Sequence, residues 1–353
     1  MFCVSAVAGG TMFYRWRRME EEDRGRVWRL YGWFTALMAC GSCFGAVAWA
    51  ARMTSLANGF KGNIFTNTNA QVTSFAALAY SWQPVFLVTY AIEFMCICTT
   101  NLMVLDRMSV FAAPEYEGLQ KRWAAAGRVV MAAVVLGNAV GLAANAAAAV
   151  HYQKAAEAQS TASAYYADNN TKDGRRFASL SQEEVQLAGS ILSVQSLVEV
   201  AVLLVIVLAF VAVGVFSARR VSSRLLDVDE SSAAAVTGRA LRLRMLGTTA
   251  FIFATFVLRA AFSTMFAVAL QLRDKLSESC PKLCDECHNV YYLITQWMAY
   301  TPEFQLLIVL VSSPLALLVA LWGMTPNTTL QLMRSSKQEA MVSIQPMKRV
   351  LGK

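Results

Sequence analysis

The chain has 353 residues, 56% of them hydrophobic and only 15% charged, with a formal net charge of +8. A mean hydropathy of +0.43 argues against an ordinary soluble domain and against a disordered chain. The positive balance sits beside apolar stretches and is not interleaved with aromatics, so it predicts membrane orientation and no nucleic-acid partner.

In chain order, Met1–Tyr14 is apolar and uncharged, and is followed at once by a run of arginines from Arg15 to Arg29. A signal peptide carries its charge before the apolar region, and fourteen residues are too few to cross a bilayer. Two readings stand: a re-entrant or interfacial segment, or the last part of a span whose beginning lies upstream. The second makes a seven-span protein.

Six long apolar stretches follow, at 30–51, 74–105, 129–152, 185–218, 245–272 and 289–324. Each exceeds the roughly 20 residues that a helix needs to cross about 30 Å of hydrocarbon. The expected fold is therefore an all-α polytopic bundle over residues 1–326, with a basic tail over 327–353. Lys and Arg alternate between rich and poor segments, 21 against 9, and the richer set, which includes the C-terminal tail, is cytoplasmic by the positive-inside rule. Trp28, Trp123 and Trp322 fall at inner boundaries, and Trp49, Trp82, Tyr291 and Tyr292 at outer ones.

In the first span Gly41 and Gly45, and in the third Gly137 and Gly141, have the spacing that lets helix backbones approach closely. The Ala-rich continuation after Leu142 predicts a central third helix. Between the third and fourth spans, Asn169-Asn170-Thr171 forms a glycosylation sequon on the outer side. After the fourth span, Arg219-Arg220-Val221-Ser222 suits a basophilic kinase, and a phosphate on Ser222 would cancel charge that attracts anionic inner-leaflet lipid. The last outer loop gathers Cys280, Cys284, Cys287 and His288. A disulfide among the three cysteines is the first expectation, and a tetrahedral zinc site using all four residues the alternative.

Four charged residues fall inside the spans: Glu93, Glu199, Arg259 and Glu303. Each costs at least about 2.5 kcal/mol in hydrocarbon unless paired or watered. Pairing of Arg259 with Glu303 or Glu199 would neutralise one carboxylate and leave the others needing water or a proton. The set reads either as a structural lock or as a ligand or ion pocket, and Pro302 bends the last span beside Glu303. Motifs for a metalloprotease, a P-loop, a serine hydrolase or a dinucleotide cofactor are absent, and no span carries a lysine for a Schiff base. The expectation is a protein with no enzymatic activity and no cofactor, in a plasma membrane or endomembrane. Its partners would be the bilayer, anionic inner-leaflet lipids and proteins at the cytoplasmic loops.

The stretch Arg242–Leu270, with Arg259 after Phe256, and the segment starting at Asn289-Val290-Tyr291-Tyr292-Leu293 and ending in a proline-kinked span resemble the late helices of the plant tobamovirus-multiplication family of seven-span proteins. The resemblance covers about a quarter of the chain. It departs from the family pattern at Gln296 and Ala299, with Pro302 displaced by three residues. It implies a seven-helix, receptor-like membrane protein that acts as a scaffold or signalling partner. The competing expectation is a small ion- or proton-coupled transporter or channel using the intramembrane Glu residues.

Overall fold

The computed structural model describes residues 21–64, 68–112, 117–226 and 233–278, together with 290, 293, 294 and 297. Outside the described residues lie Met1–Tyr14, nearly all of the sixth span with Glu303 and its prolines, the Cys280–His288 loop and the basic tail. The described elements are five α-helices: α1 (Glu21–Ile64), α2 (Asn69–Ala112), α3 (Glu117–Ala167), α4 (Thr171–Leu226) and α5 (Ala233–Glu278). All five contain stretches long and apolar enough to cross a membrane, at Gly32–Gly62, Asn69–Asp106, Gly118–Ala167, Thr171–Arg220 and Thr249–Ala269. The molecule is thus a helical bundle of membrane type. Backbone polar groups satisfied within each helix are what hydrocarbon demands.

The helices pack in succession, α1 on α2, α2 on α3, α3 on α4 and α4 on α5, and α2 also meets α4. Phe94 of α2, Leu203, Ile206 and Phe210 of α4, and Ile252 and Phe256 of α5 form the main apolar core. A second cluster joins Leu87 of α2 to Ala148 and Tyr152 of α3 and to Ala188 and Leu192 of α4. The third span is not the central one among the described residues. In its most apolar window 17% of residues are buried, against 56% for α2. Val129, Val135, Leu136 and Val140 of α3 remain exposed. The alanines let α3 lie close to its two neighbours without requiring more of them.

Three of the four predicted glycines mark close approach. A Cβ at Gly41 would stand 3.1 Å from that of Cys96, one at Gly45 would meet the Glu93 carboxyl at 2.7 Å, and one at Gly137 would run into Val202 Cγ2. Gly141 differs, since a Cβ there would meet nothing within 4 Å.

At 51 and 56 residues, α3 and α4 are about 76 and 84 Å long at 1.5 Å per residue, far more than a bilayer of about 30 Å needs. Their joined ends form a hairpin with its own fastenings. Asn169 has φ 58°, the left-handed conformation that closes a helix. Asn170 N–H donates to Tyr165 O at 2.9 Å and Asn169 N–H to Tyr166 O at 3.2 Å, the paired bonds of a Schellman end. Asn170 Oδ1 then accepts from Asp173 N–H at 3.3 Å and caps α4. Below the turn, Tyr165 stacks on Phe177 with centroids 5.4 Å apart, Ser181 donates to Ala155 O at 2.9 Å, and His151 Nδ1 meets Glu184 Oε2 at 2.6 Å.

Candidate functional site

Arg259 is 1% exposed and is among the largest fully buried side chains. It arrives from α5, on the helix face that also carries Phe256 and Ser263 at three- and four-residue spacing. Its Nε lies 3.6 Å from Glu199 Oε1 of α4, and Nη2 donates to the Tyr90 hydroxyl of α2 at 3.3 Å. The guanidinium also rides over the Phe94 ring, 4.9 Å from its centroid, and over that of Tyr90 at 5.8 Å. One cation therefore engages three helices, in contacts that a planar guanidinium is shaped to make.

Glu199 is surrounded by donors. Oε1 accepts from Tyr90 Oη at 2.8 Å and from Ser263 Oγ at 3.1 Å. Oε2 accepts from Gln195 Nε2 at 3.3 Å, one turn back on α4. A buried ion pair is tolerable only when such additional bonds serve its remaining lone pairs. Of the two pairings expected for Arg259, the structure makes the one with Glu199; Glu303 lies outside the described residues.

Glu93 sits one turn along α2 from Tyr90, 0% exposed and within electrostatic reach of Arg259. Neither of its carboxyl oxygens has a hydrogen-bond partner among the described residues. The space it fills exists because Gly45 of α1 has no side chain.

Beside Glu199 is a cleft with room for about one water molecule, bordered by Tyr90, Gly141, Asn138, Asn145 and Gln195. Charge alone does not single out Tyr90, Ser263, Gln195, Asn138 or Asn145 in the sequence. The signal was present in their spacing. Gln195 and Glu199 are four apart, Asn138 and Asn145 seven apart, and Arg259 and Ser263 four apart, so each pair puts polar groups on one face of an apolar helix.

The other predicted residues stand apart from this cluster. Asn169 and Thr171 are exposed at the hairpin tip. Ser222 lies on α4, not in a loop, and its Oγ donates to Ala218 O at 2.8 Å. Cys40, Cys43, Cys96 and Cys98 are free thiols in the spans. Among the described residues no group of three or more His, Cys, Asp or Glu side chains could hold a metal ion, and the Cys280, Cys284, Cys287 and His288 set lies outside them. No family model, no curated protein and no solved structure matches this chain.

Proposed function

We propose that the chain is a receptor-like or scaffolding multi-span membrane protein, without enzymatic activity, whose conformation is held by the polar cluster around Arg259. The observation that carries this reading is the single guanidinium shared by α2, α4 and α5. An apolar bundle packs without it, and placing charges in hydrocarbon is expensive, so the cluster points to a device that fixes one arrangement of helices and releases another. The resemblance of Arg242–Leu270 to a late helix of the tobamovirus-multiplication family supports the same reading, with a seven-span design completed by Met1–Tyr14 and the sixth apolar stretch.

In this reading the cytoplasmic face carries Arg219, Arg220 and the basic tail, which attract anionic inner-leaflet lipid and offer docking points for protein partners. The membrane is a plasma membrane or endomembrane, with the C-terminus cytoplasmic. The α3–α4 hairpin then lies outside, and Asn169, exposed at its tip, is the glycan acceptor. Expression in a glycosylating host is expected to give a species that shifts on peptide-N-glycosidase treatment. Thr171→Ala removes the acceptor motif, and Asn169→Gly removes it while keeping the left-handed turn; both variants should run unshifted. A wild-type chain without glycan would overturn the assigned orientation of this loop. A disulfide among Cys280, Cys284 and Cys287 belongs to the same outer face.

A second reading, an ion- or proton-coupled transporter, draws support from Glu93, whose carboxyl oxygens have no partner among the described residues. Reconstitution in liposomes decides between the two. No proton or sodium flux under an imposed gradient is the expected result. Flux that disappears in Glu93→Gln or Glu199→Gln would replace the scaffold reading with the transport one.

A further inference from the structure

Asn138 and Asn145 lie seven residues apart on α3, on one face, about 10 Å apart along the axis. Both are at least nine-tenths buried, at 8% and 1% exposure. Asn138 Nδ2 donates to Val134 O at 2.8 Å and Asn145 Nδ2 to Gly141 O at 2.9 Å. Those bonds fix the amide orientation, because a flipped amide would set oxygen against oxygen. Each Oδ1 is left buried with no partner among the described residues. Both residues border the cleft that reaches Glu199, and at Gly141 between them even a Cβ would meet nothing within 4 Å. Two residues that border a space built into the bundle thus each keep an acceptor without a donor among the described residues.

The third acceptor is Glu199 Oε2. Its only hydrogen-bond donor among the described residues is Gln195, at 3.3 Å, whereas Oε1 receives Tyr90, Ser263 and the Arg259 ion pair. A carboxylate oxygen accepts about two bonds, so Oε2 has capacity to spare. Charge points the same way. Among the described residues Arg259 is the one cation that acts on both Glu93 and Glu199, so two carboxylates there face one guanidinium in a medium where an unanswered charge is costly.

The residues that border the cleft bring oxygen acceptors and neither thiol nor imidazole, which selects a hard cation. A divalent ion is the wrong occupant. Calcium takes six to eight oxygens and magnesium a near-ideal octahedron, and the one carboxylate that borders the cleft, Glu199, already faces Arg259, so a second positive charge on the ion would go unanswered. We infer that the cleft binds one monovalent cation of about sodium's size, held by Glu199 Oε2 and one of the two asparagine oxygens. The two asparagines are too far apart to touch one ion together. This inference rests on the cluster being the polar core of the protein, and it does not depend on whether anything is transported.

Thermal denaturation of the purified full-length protein in detergent tests it, comparing sodium chloride with choline chloride at constant ionic strength. A saturable rise in Tm with sodium is expected, since a ligand bound to the folded state stabilises it by mass action, together with retention of radioactive sodium by the wild-type protein. Replacing the asparagine that touches the ion, by Asn145→Leu or by Asn138→Leu, should weaken the apparent sodium affinity by about tenfold or more, the equivalent of one lost polar contact. Coincident melts in sodium and choline, with no sodium retained by folded wild-type protein, would overturn the site and mean that water serves these oxygens. The wild-type measurement decides even where a variant fails to fold. Sodium carried across liposomes would leave the site standing and remove only the non-transport reading.

Discussion

Arg259→Met is expected to destabilise the bundle by about 3–5 kcal/mol, the usual cost of stranding one partner of a buried ion pair. The cause is Glu199, which would keep Tyr90, Ser263 and Gln195 as donors but lose the guanidinium 3.6 Å away. Arg259→Lys should recover part of the loss. An ammonium can meet Glu199, but it cannot also bond the Tyr90 hydroxyl while its charge stays over the Phe94 ring, as the guanidinium does. Combining Arg259→Met with Glu199→Leu should be far less harmful than either change alone, because replacing a whole buried pair by apolar side chains is often close to neutral. Unfolding of the parent, the three single variants and the double variant in mixed detergent micelles, followed by tryptophan fluorescence, gives the comparison. A single Arg259→Met variant as stable as the parent would mean that the cluster does not hold α2, α4 and α5 together.

The same double replacement separates stability from function. If the cluster governs switching between helix arrangements, the apolar version should fold and yet lose whatever response the protein gives, since the bistable element has been removed. A lock that serves only stability would leave the response intact.

The sequence carried the helical membrane class because span length and apolarity are set by the bilayer and not by tertiary contacts. It also marked Arg259 and Glu199 as charges in hydrocarbon that have to be answered, and the structure pairs them. What it did not carry was the identity of the answer. Arg259 could be paired with Glu303 or Glu199 from span membership alone, and only the relative rotation and depth of α4 and α5 bring Glu199 to 3.6 Å. Tyr90, Gln195 and the asparagines escaped because uncharged polar residues are common in spans and often bond their own helix, as Asn138 and Asn145 partly do. The exposed side of α3 was equally hidden. Runs of alanine predict close approach, but they do not say how many neighbours approach, and here two do among the described residues.

The glycine spacing in the first span, by contrast, leads to a second strong expectation. Gly41 and Gly45 were read as a surface for close helix contact, and α2 does lie against them, with Cys96 opposite the first and the Glu93 carboxyl opposite the second. Gly45→Ala places a methyl group 2.7 Å from the carboxyl carbon and from Oε1 of a side chain that is 0% exposed. Glu93 has to move or α1 has to back away, and overpacking of this kind typically costs about 1–3 kcal/mol. Removing the obstacle should restore the fit. Glu93→Ala opens the space that the new methyl needs, so the double variant Gly45→Ala with Glu93→Ala is expected to be more stable than Gly45→Ala alone, with a coupling energy of about 1 kcal/mol or more. Gly41→Ala is the internal control, because its Cβ would stand 3.1 Å from that of Cys96 and Glu93→Ala removes nothing there. Unfolding midpoints for the parent, the three single variants and the two doubles measure both couplings. Additive effects at Gly45 and Glu93 would show that the carboxyl does not sit against α1, and would leave Glu93 free to face water instead.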